Sequence, residues 1–181
     1  MALVPLPERI KAEGLLIRRV QLSDVDTLHE VVTRNREYLT PWVGGWVLKE
    51  PVSLEERRRE VEEWITGYAL GQGHPLLIEE DGQFVGMTGL HDRNEPRDVE
   101  VGYWVDQSHQ GRGIATRATR ALCALALADP GVDRVLLRHL VENRPSRRIP
   151  EKLGFTLLDA AEPHDGQIFV LWAMRRGETL D

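Results

Sequence analysis

Cysteine is nearly absent from this sequence, which has one, Cys123, in 181 residues. A single thiol cannot close an intramolecular disulfide, so a disulfide framework is excluded. Alanines and leucines surround Cys123, and this setting predicts a buried, apolar side chain. Long apolar runs are also missing, since no stretch approaches the roughly 20 residues that span a bilayer and no apolar leader opens the chain. These absences predict a cytoplasmic protein with no membrane partner.

The chain also has no excess of positive charge, and its formal net charge is −6. This balance argues against a nucleic-acid partner and suits a cationic or amine ligand. Hydrophobic residues make up 41% of the chain and charged residues 29%, as in folded globular proteins. The length suits one full-sized core, so we expect a single domain over residues 1–181.

The most informative stretch runs from Val99 to Thr116, where an apolar, β-prone run meets a glycine-rich turn and the start of a helix predicted over 112–127. Gly111 and Gly113 lack a Cβ, so the backbone can turn sharply and a ligand can approach it closely. The free N–H groups and the dipole of a helix start favour an anion there. The third glycine of the dinucleotide fingerprint and the Gly-Lys-Ser/Thr of a P-loop are both absent, which excludes those two phosphate sites.

Hydrophobic periodicity and turn residues predict an α+β fold. Three consecutive antiparallel strands lead to the glycine turn, and Asp81-Gly82 joins the first two as a hairpin. A strand over 134–141 should lie parallel to its predecessor, because a helix connects them. The other helices are predicted over 24–34, 54–70 and 143–153. The expected sheet is mixed and mostly antiparallel, with about seven strands and helices on both faces, while residues 1–13 form a lead-in segment.

Two motifs in order resemble the GNAT superfamily of N-acetyltransferases. The residues from Gln110 to Ala115 match its Gln/Arg-x-x-Gly-x-Gly/Ala signature, and those from Asn143 to Phe155 are similar to its closing N-x-x-S/A-x-x-apolar-x-x-K/R-x-G-F pattern. Three further stretches resemble the RimJ/RimL-type branch: Tyr38-Leu-Thr-Pro-Trp42, Gly86-Met-Thr-Gly-Leu90 and Val101-Gly-Tyr-Trp-Val105. The resemblance spans nearly the whole chain, from Leu15 to Met174.

The resemblance implies a GNAT-like fold with acetyl-CoA bound where two parallel strands, 99–105 and 134–141, splay apart. Backbone groups of Trp104 and Val105 would pair with the pantetheine amides. The turn would hold the pyrophosphate through its amides and the charge of Arg112. The residues assigned to that turn are Gln110, Gly111, Arg112, Gly113, Ile114, Ala115 and Thr116.

The closing motif supplies the remaining cofactor contacts that the resemblance implies. The Asn143 side chain would hydrogen-bond the pantetheine arm, because an amide can both donate and accept. It suits a helix N-cap equally well. Arg147 or Arg148 would meet a cofactor phosphate, and an exposed helix face is the alternative for both.

Acetyl transfer to an amine requires a base, since an alkyl ammonium with a pKa of about 10 is protonated at neutral pH. We predict Glu100, on the cofactor strand, as that base, acting directly or through a water. A cross-strand ion pair or simple exposure is its alternative. His91, His109 and His139 are other candidates, and none has the spacing of a zinc ligand pair, so we expect no metal.

The closing motif departs from the family at Pro150, where many GNAT enzymes have a tyrosine that protonates the leaving thiolate. Proline has no proton to give, and it removes the helical hydrogen bond to the Ser146 carbonyl. Ser146 lies one turn earlier on the same helix face. It is the predicted donor, similar to the serine of RimJ/RimL-type enzymes, with helix capping as its alternative role.

Tyr38 and Trp42 lie in an aromatic segment that forms either one wall of an acceptor site or part of the core. The RimL-like stretches favour the N-terminal amine of a protein or peptide as the acceptor. A small amine, such as a polyamine, amino acid or antibiotic, is the alternative within the enzyme class. A catalytically silent acyl-CoA-binding module is the rival from another class. The oligomeric state stays open, a homodimer included.

Overall fold

One sheet of eight strands runs through the computed structural model, which describes residues 4–42, 52–71, 75–92, 97–164 and 167–178, with the backbone alone for 159–164. The strands are β1 (Arg9–Ala12), β2 (Leu15–Arg19), β3 (Leu76–Glu80), β4 (Gln83–Asp92), β5 (Asp98–Val105), β6 (Arg134–Leu140), β7 (Thr156–His164) and β8 (Gln167–Arg175). Their order is β1-β2-β3-β4-β5-β6-β8-β7. Every neighbouring pair is antiparallel except β5 and β6. The mixed, mostly antiparallel sheet is thereby confirmed.

Helices cover both faces of this sheet, as predicted. They are α1 (Val25–Leu39), α2 (Leu54–Ala69), α3 (Ile114–Ala128) and α4 (Arg144–Lys152). Apolar residues of α3 and α4 join one buried cluster, which includes Cys123, while those of α1 and α2 join a second cluster around Trp104. No helix in the described parts of the chain is long and apolar enough to cross a membrane.

The prediction of seven strands was wrong by one strand, because residues assigned to the lead-in segment form β1. This strand pairs with β2 from Arg9↔Arg18 to Ala12↔Leu15. Glu13 and Gly14 connect them with φ angles of +47° and +82°. The Asp81-Gly82 hairpin has the same left-handed pair, at +52° and +76°. Glu-Gly is a weaker turn signal than Asp-Gly, which explains why the β1–β2 hairpin was not predicted.

Helix α1 is longer than the predicted 24–34 and ends at Leu39. The buried Asn35 accounts for part of this length, because its side chain makes two hydrogen bonds. The amide nitrogen donates to the Val31 carbonyl at 2.8 Å, and the amide oxygen accepts from the Gln107 N–H at 2.8 Å. The extra turn therefore docks on the segment after β5, and it carries Tyr38.

The parallel strands β5 and β6 pair over three residues only, from Asp98↔Arg134 to Glu100↔Leu136. At this closed end the Arg134 Nε donates to an Asp98 carboxylate oxygen at 2.9 Å. Beyond Glu100 the two strands separate, since β5 stays with β4 and β6 stays with β8. The result is a wedge-shaped gap in the sheet, called the β5–β6 gap below.

Candidate active site

The turn between β5 and α3 presents an open stretch of backbone. Gly111 and Gly113 have φ angles of +73° and +74°, in the left-handed region that favours glycine. A Cβ built on either glycine would meet no heavy atom within 4 Å. Gly113 is also the N-cap of α3, and the first N–H groups of a helix have no intrahelical acceptor. This arrangement can bind an anion of the size of a pyrophosphate.

The side chains around this turn differ in whether they are exposed enough to contact a ligand. Ile114 is buried in the core, so only its backbone can face a ligand. The Arg112 guanidinium is half exposed and lies 3.0 Å from Glu80, which Arg117 also approaches at 2.7 Å. The hydrogen bond from Arg117 lowers the pKa of the Glu80 carboxyl. Part of the Arg112 charge is thus already balanced by Glu80 before any phosphate arrives.

The register of β5 decides which peptide groups face the β5–β6 gap. The Asp106 N–H donates to the Val85 carbonyl on the β4 side at 2.9 Å, and the Arg97 carbonyl accepts from the Asp133 N–H beside β6 at 2.7 Å. Peptide groups alternate along a strand, so those of Tyr103 and Val105 face the gap while those of Trp104 face β4. This alternation favours Tyr103 beside Val105, rather than Trp104, as the partner of a ligand in the gap.

Glu100 projects from β5 on the α1–α2 face of the sheet, the face of Trp104. Its side chain is 14% exposed, and one carboxylate oxygen lies 3.7 Å from the Arg138 Nε on β6. The Arg138 guanidinium in turn lies 4.7 Å from the centre of the Phe169 ring. The ion pair is therefore present, and the Glu100 side chain is largely buried, with one carboxylate oxygen shielded from solvent.

The two aromatic candidates for the acceptor site lie at the end of α1, on this same face. Tyr38 packs against the cluster that contains Trp104. Trp42 is half buried, and its N–H donates to the Leu39 carbonyl at 2.8 Å. The rest of the predicted aromatic segment, including Trp46, lies outside the described residues.

Ser146 lies on the opposite face, in the first turn of α4. Its N–H donates to the Asn143 Oδ1 at 3.1 Å, so the helix cap is Asn143 and not Ser146. The Ser146 hydroxyl is 2.7 Å from the Tyr103 hydroxyl, which reaches α4 from β5. Sequence reasoning missed this contact, although the alternation of β5 places Tyr103 on the face of α3 and α4.

The other residues of the closing motif that were predicted to contact the cofactor lie at or near the start of α4. The alternative role of Asn143 as an N-cap is confirmed, and its amide nitrogen has no partner among the described residues. Arg147 pairs with Glu151 at 2.8 Å. Arg148 is exposed and meets no carboxylate in the part of the chain that the structure describes. Its assignment to a cofactor phosphate stays a prediction.

The three histidines considered as bases have distinct surroundings. His139 is buried, its Nε2 accepts from the Trp172 Nε1 at 3.0 Å, and its Nδ1 donates to the Leu140 carbonyl at 2.8 Å. Burial lowers the pKa of this imidazole, which is fully engaged as a neutral ring. His109 contacts Ser108 at 2.9 Å beside the glycine turn. His91 is directly opposite Glu100 in the β4–β5 ladder and is the one histidine of the three beside the carboxylate.

The β5–β6 gap therefore has an open glycine turn at one end, a carboxylate on one face and a hydroxyl pair on the other. A base and a hydrogen-bond donor on opposite faces can serve an acceptor and a donor molecule that meet within the sheet. Within the described ranges, no group of three histidine, cysteine, aspartate or glutamate side chains could hold a metal ion.

Comparison with known proteins gives consistent matches. The family profile of the Acetyltransferase (GNAT) domain matches residues 14–156. The provisionally named ribosomal N-acetyltransferase YdaF of Bacillus subtilis is 31% identical over 156 residues, covering 85% of this chain and 83% of that protein. The ribosomal-protein-serine acetyltransferase of Escherichia coli K12 is 26% identical over 155 residues, covering 84% and 85%.

The fold has a close counterpart among solved structures. RimL, a ribosomal L7/L12 α-N-protein acetyltransferase solved in complex with coenzyme A, superposes with a TM-score of 0.81. Its sequence identity is 26%, and the match covers 93% of this chain and 98% of RimL.

Proposed function

The chain belongs to the GNAT family of acetyltransferases, and we propose that it transfers the acetyl group of acetyl-CoA to the N-terminal amine of a protein or peptide. The observation that carries this proposal is the β5–β6 gap, with Glu100 on one face, Ser146 on the other and the glycine turn at its end. Acyl transfer from a thioester needs a proton acceptor, a site for the leaving sulfur and a support for the donor. The gap has a candidate for each.

Cofactor binding is the first task. The N–H groups from Gly111 to Thr116 hold the pyrophosphate at the start of α3, with Arg112 adding charge beside Glu80. Peptide groups of β5 that face the gap pair with the pantetheine amides, and the free amide nitrogen of Asn143 donates to the same arm. The thioester then lies within the gap.

Proton transfer is the second task. The acceptor enters from the α1–α2 face, past Tyr38 and Trp42, as an ammonium group. Glu100 removes its proton, directly or through a water, so that the amine nitrogen can attack the thioester carbon. The C–N bond forms, the attacking nitrogen releases its second proton to water, and the C–S bond breaks with its electron pair on sulfur. The Ser146 hydroxyl donates a hydrogen bond to the developing thiolate.

The acceptor class rests on the named relatives, of which one acts on ribosomal-protein serine and another on the α-amine of L7/L12. Acceptors of that kind support a cytoplasmic location for the reaction. Release of CoA thiol, measured with a panel of N-terminal peptides and small amines, tests this assignment. We expect kcat/KM to be largest for peptides with a free N-terminus and to vanish when that terminus is blocked. A preference for polyamines, amino acids or antibiotics over every peptide would contradict it.

Ser146→Ala should lower turnover by roughly a hundredfold, because the hydroxyl stabilises charge that develops only in the transition state. CoA binding should stay close to the wild-type value, and the melting temperature should stay within a few degrees of it, since Asn143 and not Ser146 caps α4 and the hydroxyl loses only its contact with Tyr103. Thiol release, calorimetric titration with CoA and thermal melts measure the three quantities.

A matched control for this variant is Ser53→Ala, which removes a true helix cap. The Ser53 hydroxyl accepts from the Glu56 N–H at 3.2 Å at the start of α2. This variant should lose about 1 kcal/mol of stability and keep its turnover. If Ser146→Ala behaves like Ser53→Ala, the Ser146 hydroxyl is structural and the thiolate is stabilised by another group.

A further inference from the structure

The contact between Tyr103 and Ser146 has no part in the assignments above. The two hydroxyl oxygens are 2.7 Å apart and belong to residues 43 positions apart in sequence. Tyr103 lies beyond Glu100, where β5 pairs with β4 but no longer with β6, and its side chain reaches the first turn of α4. Its hydroxyl therefore spans the α3–α4 side of the β5–β6 gap, where the thioester is proposed to lie.

Pro150 leaves the Ser146 carbonyl without its usual helical hydrogen bond. In a regular helix the Ser146 carbonyl would accept from the N–H of residue 150, and proline has none. The Tyr103 hydroxyl lies 3.5 Å from that carbonyl as well as 2.7 Å from the Ser146 hydroxyl. Together with the bond from the Ser146 N–H to Asn143, the shorter contact holds the serine at its backbone nitrogen and at its side chain.

We propose that Tyr103 is a positioning residue for acetyl transfer: its hydroxyl donates to the Ser146 oxygen and so directs the Ser146 proton toward the cofactor sulfur. This inference rests on the proposed function of Ser146. A phenol is a better hydrogen-bond donor than an aliphatic alcohol, which sets the direction of the bond. When the C–S bond breaks, both electrons go to sulfur, and Tyr103 keeps its own proton throughout.

The surroundings of Tyr103 favour this role. Burial raises the pKa of its phenol well above the usual range, so the hydroxyl stays protonated at any working pH of the enzyme. A protonated phenol can donate to Ser146 but cannot serve as a base. Its ring packs against the cluster that holds α3 to the sheet, which limits its freedom to rotate away.

Tyr103→Phe tests this inference, because it removes one oxygen and retains the ring. We expect kcat to fall by about 5- to 10-fold, the worth of one hydrogen bond, with the KM for acetyl-CoA and the melting temperature close to wild type. The control is Tyr68→Phe on α2, whose hydroxyl donates to the Pro75 carbonyl outside the gap. That control should leave kcat unchanged.

A double-mutant cycle distinguishes a role through Ser146 from a role of Tyr103 that is independent of Ser146. If Tyr103 acts through Ser146, then Tyr103→Phe should have almost no further effect on kcat in the Ser146→Ala background. If the fold-reductions in kcat of the two single variants multiply in the double mutant, Tyr103 acts without Ser146, and this result would overturn the inference. An unchanged kcat, or a change confined to KM, would overturn it as well.

Failure of this inference is distinguishable from failure of the proposed function. A wild-type protein that releases no thiol with any amine contradicts the function itself, whereas an active wild type with an unchanged kcat in Tyr103→Phe contradicts only the inference. If Tyr103→Phe does not fold, 4-fluorophenylalanine at position 103 fills the space of the hydroxyl more closely but has no O–H to donate. Its kcat should fall as expected for Tyr103→Phe, and a wild-type kcat would overturn the inference.

Discussion

Gly113→Val is expected to abolish CoA binding while leaving most of the secondary structure in place. A valine Cβ and its two methyl groups would occupy the open space over Gly113, where the pyrophosphate must approach the backbone. The φ of +74° also disfavours a β-branched residue, so the turn itself would shift. Calorimetric titration with CoA measures the affinity, and circular dichroism measures the fold.

The matched control is Gly71→Val, at the end of α2. Gly71 has a φ of +70°, and a Cβ there also meets no heavy atom within 4 Å, so the backbone cost is comparable. This variant should lose a similar amount of stability and retain CoA binding. If Gly113→Val binds CoA as tightly as Gly71→Val does, the anion site at the start of α3 is not where the cofactor binds.

Glu100→Gln should lower turnover by roughly 10²- to 10⁴-fold near neutral pH, the contribution typical of a general base. The amide keeps the size of the side chain and loses its ability to accept a proton. Activity should recover partly at high pH, where free amine becomes abundant. Steady-state thiol release from pH 6 to 10, roughly the span between a carboxyl and an alkyl amine, records both effects.

A second carboxylate offers a control of similar burial. Glu79 on β3 is 17% exposed and pairs with Arg18 at 2.6 Å, much as the 14% exposed Glu100 lies beside Arg138. Glu79→Gln removes the same charge away from the gap and should leave turnover unchanged at every pH. A wild-type rate for Glu100→Gln at neutral pH would assign Glu100 to the ion pair with Arg138 alone.

Local sequence signals predict the parts of the fold that depend on local backbone chemistry. Gly111 and Gly113 mark a turn that only residues tolerant of positive φ can form, and Asp81-Gly82 marks a hairpin. The parallel pair follows from the helix between its strands. Helix α1 was predicted too short because Asn35, a residue typical of helix ends, is buried and bonded to Gln107 across the fold.

The sequence proposes the candidate site residue by residue but not as a set of contacts. Glu100 is predicted from its place on the cofactor strand and Ser146 from a family resemblance, whereas the partners of both come from other strands or helices. Arg138 reaches Glu100 through the parallel register, and Tyr103 reaches Ser146 across the gap. Those contacts depend on how far β5 and β6 separate, which no local pattern encodes.

The most direct test of the proposed acetyl transfer measures both products of one reaction. Purified protein is mixed with acetyl-CoA and a peptide that begins with serine, and free thiol and peptide mass are recorded together. We expect one acetylated N-terminus for every thiol released, and no release when the N-terminus is blocked. Tight CoA binding with neither thiol nor acetylated product, for this peptide and for every amine in the panel, would contradict the proposed acetyl transfer and leave an acyl-CoA-binding module.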